Sequence, residues 1–151
     1  MRFWDSMPRP ARAAVATWLA LCFIILAARS LGCIPMVASW GGSAVIIFGM
    51  PRSDMAQPRS LIGGHILSTL IGLGLVTLLG TSLWVGVLGC SCALAAMLVT
   101  RTVHSPAGSN PLIIAAINPD WRFLLIPMLP AALFLSLSHW LFLKADAERS
   151  P

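Results

Sequence analysis

Residues 60–100 read SLIGGHILSTLIGLGLVTLLGTSLWVGVLGCSCALAAMLVT, a stretch of 41 residues without Asp, Glu, Lys or Arg. About 20 apolar residues are enough for one helix to cross the hydrocarbon core of a bilayer, which is roughly 30 Å thick. The stretch is therefore long enough for two crossings, and the Gly-Thr-Ser sequence at 80–82 is typical of a turn between them. We predict a helical hairpin with its two helices over residues 61–79 and 83–100.

The whole chain has the composition of a membrane protein. Of its 151 residues, 58% are hydrophobic and 10% are charged, and the mean hydropathy is +0.86. This composition excludes a soluble globular domain. The formal net charge is +5, but the basic residues lie at the ends of apolar segments, so they are topology signals and no nucleic-acid partner is expected. No phosphate-binding loop occurs in the sequence, and no cofactor is expected.

Two further apolar stretches flank the hairpin. Residues 13–31 predict a first membrane helix, for which a cleaved signal peptide is the alternative. Residues 121–143 predict the last helix, and Pro127 and Pro130 within it predict a bend. The chain divides into a cytoplasmic N-terminal segment at 1–12, a single transmembrane domain at 13–143 and a cytoplasmic tail at 144–151.

The two remaining windows resemble each other. Each has an entry rich in Pro and Gly, a Gly-Ser pair at 42–43 or 108–109, and a short apolar exit at 44–50 or 112–117. The order of helix, broken segment and helix therefore occurs twice. We predict an all-α membrane protein with four continuous transmembrane helices and two discontinuous half-helix segments, an order compatible with a 3+3 inverted repeat.

Charge placement discriminates between two topologies. If the broken segments are re-entrant and only four helices span, five basic residues lie inside and five outside. If each broken segment also crosses, Arg52, Arg59 and Arg101 move inside, and only Arg29 and Arg122 stay outside. The resulting count of eight against two satisfies the positive-inside rule, which favours six passes.

The six-pass arrangement predicts a site for an anion. A half-helix that runs inward from Ser43 and one that runs outward from about Asn110 both begin near the midplane of the membrane. Helix N-termini carry unpaired N–H groups and the positive end of the helix dipole, so they bind small anions without Lys or Arg. Ser43, Ser109 and Asn110 are also favoured N-cap residues, and simple capping is the alternative interpretation.

The stretch from residue 42 to 118 resembles the HPP family of integral membrane proteins. That family is named for the His-Pro-Pro motif in His-Pro-Pro-Ala-Gly-Ala, and residues 104–109 here read His-Ser-Pro-Ala-Gly-Ser. Gly-Ser-Ala at 42–44, Ala-Gln-Pro-Arg at 56–59 and Gly-Gly-His at 63–65 also match, whereas Ser105 and Ser109 depart from the motif. The resemblance implies a compact protein, usually described with four spanning helices, some members of which look like nitrite transporters of chloroplasts and cyanobacteria.

Two histidines add to the predicted site. In the six-pass topology His65 and His104 lie at the same cytoplasmic end, where they are expected to face one another and to donate to an anion or carry a proton. For His104, which follows Arg101 closely, a simple interfacial position is the alternative interpretation. No Asp or Glu accompanies them, so neither catalytic nor metal chemistry is expected. The four cysteines show no ligand spacing and are interpreted as packing residues. The predicted substrate-binding residues are Gly42, Ser43, His65, His104, Ser105, Gly108, Ser109 and Asn110.

Two functions remain as hypotheses. The first is a transporter or channel for a small monovalent anion, with nitrite as the first choice. The alternative is a non-transporting membrane subunit that packs against a partner through the small residues Gly64, Ser68 and Gly72. From its size the protein is expected to form a homo-oligomer, and from its short arginine-bearing start it is expected in a bacterial inner membrane.

The six-pass topology has a direct test. A cysteine placed at Ser53 in an otherwise cysteine-free chain is expected to stay unlabelled when intact cells meet an impermeant maleimide, because six passes put this loop in the cytoplasm. Labelling after permeabilisation is the control. Labelling of intact cells would rule out six passes.

Overall fold

The computed structural model describes residues 3–147, and within that range the chain is helical and contains no strand. Short 3-10 turns precede several of the helices. The α-helices are α1 (Phe3–Ser6), α2 (Arg9–Ser30), α3 (Val37–Gly49), α4 (Pro58–Leu79), α5 (Leu83–Thr100), α6 (Asn110–Ile117) and α7 (Met128–Ala147).

Four segments are long and apolar enough to cross a membrane, as the sequence predicted. They are α2, α4, α5 and the stretch Trp121–Ala147, which contains α7. The predicted hairpin is confirmed, since α5 has the predicted bounds and α4 differs only in starting at Pro58. Proline is favoured in the first turn of a helix, because its fixed φ suits the helix and its missing N–H has no partner there in any case.

The outer helices depart from their predicted bounds at charged residues. Helix α2 begins at Arg9 rather than at residue 13, and α7 continues to Ala147. The guanidinium of Arg12 lies 3.0 Å from the carboxylate of Asp146, so the two ends stabilise each other by an ion pair. Residues 121–127 do not belong to α7 as predicted: a 3-10 turn over Trp121–Leu124 precedes the helix, which begins at Met128, so the chain is broken before α7 rather than bent within it.

The first half-helix was predicted wrongly. Ser43 does not begin a helix but lies in the middle of α3, which starts at Val37, and its hydroxyl oxygen lies 3.0 Å from the carbonyl oxygen of Ser39 one turn earlier. The prediction took Gly41 and Gly42 as a break. A glycine is tolerated inside a helix where a neighbour comes close, and a Cβ on Gly42 would lie only 3.2 Å from the ring of Pro106.

The second half-helix begins at the predicted place but without the predicted caps. Helix α6 covers Asn110–Ile117 after a 3-10 turn over Ser105–Ser109. Ser109 occupies the N-cap position, yet its hydroxyl donates to the carbonyl of Pro106 and caps no N–H. The interpretation of Ser43, Ser109 and Asn110 as capping side chains is therefore wrong.

Small residues on α4 and α5 form a groove that holds the segment leading into α6. A Cβ added to Gly64 would lie 2.9 Å from the carbonyl oxygen of Thr102, and one added to Gly89 would lie 2.6 Å from Pro111 Cβ. Gly72 is equally close to Pro111 and Ile114. The four-residue spacing of the small residues Gly64, Ser68 and Gly72 favours close approach of a neighbouring backbone, and the neighbour is a segment of the same chain.

Contacts between segment ends give the direction of each segment. Arg9, at the start of α2, contacts the carbonyl of Gly49, at the end of α3, so these two helices are antiparallel. Arg59, at the start of α4, donates to the carbonyl of Thr100, at the end of α5. Residues 104 to 114 meet α4 in increasing order from Gly64 to Gly72, so α6 runs in the direction of α4.

We predict that Gly64→Ala destabilises the protein by about 1–3 kcal/mol, because the added methyl overlaps backbone of the groove-bound segment. The midpoint of thermal unfolding in detergent measures this loss. Gly74→Ala is the matched control on the same helix, since nothing lies within 4 Å of its Cβ position. An equal effect of both substitutions would show that the groove is not tightly packed at Gly64.

Candidate functional site

A cluster of polar side chains lies in the interior of the helix bundle, where α3 and α4 meet the segment that leads into α6. Its members are neutral, and each has at most 2% of its surface exposed. They are Ser39, Ser43, His65, Ser68, Thr69, His104 and Asn110. Polar groups within a membrane protein are costly to bury unless they are hydrogen bonded, and such groups mark functional sites more often than packing.

The hydroxyl of Ser43 joins the two histidines of the cluster. Its Oγ lies 2.9 Å from Nε2 of His65 and 2.8 Å from Nε2 of His104. The ring centroids of the two histidines are 5.1 Å apart. The expectation that these histidines face one another is therefore confirmed, and Ser43 is the group that lies between them.

Asn110 is the second centre of the cluster. Its Nδ2 lies 3.1 Å from Nδ1 of His65 and donates to the hydroxyl of Thr69 at 3.2 Å. Its Oδ1 accepts from the hydroxyl of Ser39 at 2.7 Å. Asn110 thus joins α3, α4 and α6 with one side chain, and this requirement explains why it does not cap its own helix.

Most of these hydrogen bonds connect the residues before the hairpin turn to those after it. Nδ1 of His104 lies 2.7 Å from the carbonyl oxygen of Met55, and Ser68 donates to the carbonyl of Ala107 at 2.6 Å. Ser39 also donates to the carbonyl of Pro106. The cluster is therefore the polar part of the contact between the two halves of the chain.

The cluster extends from the arginine-bearing end of the helices to the middle of α4, where Ser68 and Thr69 lie. About 10 Å of helix separate His65 from the start of α4, and about 9 Å separate Ser43 from the end of α3, at 1.5 Å per residue. The ends concerned are those near Arg9 and Arg59. His65 is therefore about a third of the way along the 22-residue α4.

The electrostatics of the cluster come from dipoles alone. Its side chains are hydroxyls, an amide and imidazoles, and none carries a fixed charge. Among residues 3–147 no group of three or more His, Cys, Asp or Glu is placed to hold a metal ion. The chemistry that this arrangement offers is hydrogen-bond donation to a small acceptor and proton exchange at the histidines.

The structure brings together four of the eight predicted site residues, namely Ser43, His65, His104 and Asn110. Gly42 packs behind them against Pro106. The other three lie outside the cluster: Ser105 is exposed, Gly108 is half-buried, and Ser109 bonds to its own turn.

Ser39, Ser68 and Thr69 were missed by the sequence analysis. Helical spacing contained a signal for two of them, because Ser39 lies four residues before Ser43 and Thr69 lies four residues after His65. The third, Ser68, was noted only as a small packing residue. Because Ser43 was assigned to a helix end, its four-residue spacing from Ser39 was not recognised as a helical one.

His139 lies outside the cluster but is also buried. It is 1% exposed, and its Nε2 lies 2.7 Å from the carbonyl oxygen of Pro51. His139 and His104 thus both hold the loop between α3 and α4.

Because a single chain fully encloses the cluster, the argument from size for a homo-oligomer does not hold, and the homo-oligomer stays a prediction.

Comparison with known proteins identifies the family. The model of the HPP transmembrane region matches residues 5–151. The chain belongs to the HPP family. This HPP chain resembles two proteins of Dictyostelium discoideum that are named as transmembrane proteins. One is 39% identical in an alignment of 114 residues that covers 68% of this chain and 39% of the relative. The other is 34% identical in an alignment of 111 residues that covers 68% of this chain and 36% of the relative.

The HPP chain spans about two fifths of the length of these curated relatives. No solved structure matches it. The family and the apolar helices establish a membrane protein, whereas the bacterial inner membrane stays a prediction, since these relatives come from Dictyostelium discoideum.

We predict that Thr69→Val lowers the free energy of unfolding by about 1–2 kcal/mol, because it leaves one buried N–H of Asn110 without its acceptor. The midpoint of thermal unfolding in detergent is the measurement. Thr77→Val on the same helix is the control, since the Thr77 hydroxyl bonds only to the Leu73 carbonyl one turn earlier. Equal losses in the two variants would contradict a structural role for the Thr69 acceptor.

Proposed function

We propose that this HPP protein transports a small monovalent anion across the bilayer, with nitrite as the first candidate. The observation that supports this proposal is the buried cluster of neutral hydrogen-bond donors around Asn110 and His65. A transported anion needs donors that bind it without holding it permanently, and neutral dipoles satisfy this need better than a buried Lys or Arg. The preference for nitrite comes from the resemblance of residues 104–109 to the HPP motif.

The proposed transport unit has six crossing segments arranged as two inverted halves. The first half contains α2, α3 and α4, and the second contains α5, α6 and α7. Support comes from the contacts of Arg9 with Gly49 and of Arg59 with Thr100, each of which joins the start of one segment to the end of the next. Inverted halves of this kind alternate access by rocking against each other around a fixed site.

The anion replaces hydrogen bonds that join the two halves. In the enclosed state the donors of Asn110 and Ser39 bind other members of the cluster. When the halves separate, these donors and the Ser43 hydroxyl lose their partners, and an anion restores the lost hydrogen bonds. The cost of exposing unpaired polar groups then drives binding of an anion and opposes opening without one.

A cavity at the arginine-bearing end provides an entrance. It has a volume of about 530 Å³ and is lined by Arg9, Met50, Pro51, Arg52, Ser53 and Asp146. It lies beside the loop that also supplies the carbonyl bound by His104. Two arginines against one carboxylate give this entrance a positive potential, which raises the local concentration of anions.

The alternative of a non-transporting subunit loses its main support. The small-residue face of α4, which that hypothesis reserved for a partner, packs against residues 102–114 of the same chain. Ser68 on this face donates to the carbonyl of Ala107. A partner therefore has no access to it in the folded protein.

We predict that Asn110→Leu lowers nitrite flux into proteoliposomes at least tenfold, because the anion loses one donor worth about 1.5–3 kcal/mol. The measurement is nitrite uptake by purified protein, with formate, nitrate and chloride as competitors. Asn110→Asp, of nearly the same size, is expected to lose as much by placing an acceptor where the anion binds.

Ser109→Ala is the control for this experiment, since the Ser109 hydroxyl bonds to its own turn outside the cluster. It is expected to keep wild-type flux. A wild-type protein that moves no nitrite above empty liposomes, with or without a pH gradient, would contradict the proposed function. Wild-type nitrite flux in Asn110→Leu would show that the anion does not bind at this cluster.

A further inference from the structure

One hydroxyl and two imidazoles form a continuous row of hydrogen bonds through the cluster. The row begins at Nδ2 of Asn110, which lies 3.1 Å from Nδ1 of His65. It continues through Ser43 Oγ, which lies 2.9 Å from His65 Nε2 and 2.8 Å from His104 Nε2. It ends at the carbonyl oxygen of Met55, 2.7 Å from His104 Nδ1.

The two ends of the row determine where the hydrogens lie. A carbonyl oxygen only accepts, so His104 carries its hydrogen on Nδ1 and its Nε2 is an acceptor. An amide nitrogen only donates, so His65 has a bare Nδ1 and carries its hydrogen on Nε2. Ser43 then accepts from His65 and donates its single hydrogen to His104 rather than to the Ser39 carbonyl 3.0 Å away, which already accepts the helical N–H four residues later. The two histidines are therefore opposite tautomers, and every bond of the row points from Asn110 towards Met55.

The opposite orientation of the Asn110 amide satisfies the row less well. With its oxygen towards His65, the hydrogen of His65 moves to Nδ1, and both Nε2 atoms become acceptors. The single hydrogen of Ser43 cannot serve both, so one buried acceptor stays unpaired, which is unfavourable. Hydrogen counting therefore selects the first arrangement for the enclosed state.

We propose that His65, Ser43 and His104 form a proton relay that couples each anion to a proton. This inference rests on the proposed anion transport and adds the coupling ion. A proton enters at the Asn110 end, where the anion binds, and leaves at the Met55 end, beside the loop that lines the arginine-bearing cavity.

The transfer balances hydrogen by hydrogen. When Asn110 turns to the anion, a hydronium ion that accompanies the anion gives its proton to Nδ1 of His65 and becomes water. Nε2 of His65 passes its hydrogen to Oγ of Ser43, whose own hydrogen moves to Nε2 of His104. His104 then releases the Nδ1 hydrogen to water from the cavity. One proton has entered and one has left, and no charge stays in the cluster.

Ser39 allows the cluster to accept the state that follows. After the transfer His65 carries its hydrogen on Nδ1, so Asn110 must present its oxygen there. The hydroxyl of Ser39 lies 2.7 Å from Oδ1 of Asn110 and 2.9 Å from the carbonyl oxygen of Pro106. It donates to Asn110 before the turn and to Pro106 afterwards, when it also accepts from the amide nitrogen. Both orientations of the amide therefore find partners, and after the transfer the bare Nδ1 of His104 accepts from water of the cavity instead of donating to the Met55 carbonyl.

The charged residues around the relay do not hold its proton. Asp54 precedes Met55 in the loop but is exposed, and Arg59 donates to the carbonyl of Thr100. Arg101 ends α5 and is also exposed. Within residues 3–147 the hydrogen-bond partners of both rings are neutral groups, so no carboxylate traps the proton as an ion pair.

The first test is the pair of tautomers, which does not depend on transport. Solid-state nitrogen-15 NMR of histidine-labelled protein in bilayers distinguishes a protonated Nδ1 from a protonated Nε2. His65→Gln and His104→Gln assign the signals. We expect His65 protonated at Nε2 and His104 at Nδ1 in the wild-type protein at neutral pH. The same tautomer at both positions, or an imidazolium at either, would overturn the relay.

The second test measures protons carried per nitrite, with an entrapped pH dye and nitrite assay in the same proteoliposomes. Ser43→Ala is expected to lower this ratio at least tenfold, and Ser43→Thr, which keeps a hydroxyl, is expected to restore it. Ser91→Ala, at an exposed hydroxyl of α5, is the control for the substitution itself. An unchanged ratio in Ser43→Ala contradicts the relay.

The experiments distinguish failure of the proposed anion transport from failure of the proposed proton relay. If the wild-type protein moves no nitrite, the proposed function fails, and the relay is then judged by the tautomers and by proton flux under an imposed membrane potential in the same three variants. If nitrite moves with no proton in the wild-type protein, the transport proposal stands and the relay is wrong. Thermal unfolding of Ser43→Ala and Ser43→Thr shows whether both are folded.

Discussion

The structure depends on the close approach of residues 102–114 to the glycine face of the α4–α5 hairpin. Gly64, Gly72 and Gly89 leave room for backbone and proline atoms at distances that any side chain would forbid. Between helices in a bilayer there is little hydrophobic driving force, so close packing and hydrogen bonds must supply the attraction. The groove supplies the packing, and it also fixes the positions of His104 and Asn110 on the segment that it holds.

The polar cluster follows from this placement. Once His104 and Asn110 lie against α4, His65 and Thr69 on that helix and Ser43 on α3 are within hydrogen-bond distance of them. The same bonds then have two consequences. They stabilise the enclosed state, because breaking them leaves buried polar groups unpaired, and they provide the donors that a bound anion would use instead.

The sequence predicted elements whose signal is local. The uncharged stretch at 60–100 gave the hairpin, because hydropathy and a Gly-Thr-Ser turn act on neighbouring residues. The start of α6 at Asn110 followed from the same kind of signal. The prediction for Ser43 was wrong because it treated Gly41 and Gly42 as a helix break. In the structure both lie inside α3, where Gly42 packs against Pro106, and the residues near Gly42 in sequence do not indicate this contact.

By itself the sequence determined that the chain lies in a membrane, that it is helical and which four helices are long and apolar enough to cross, because length and hydropathy decide these properties. The tertiary structure alone decided that Ser43 lies between His65 and His104, that Asn110 joins three helices, and that Ser39 and Thr69 belong to the cluster. The physical reason is that hydrogen bonds between residues 22 to 71 positions apart depend on how the helices pack, and helix packing is a property of the whole chain.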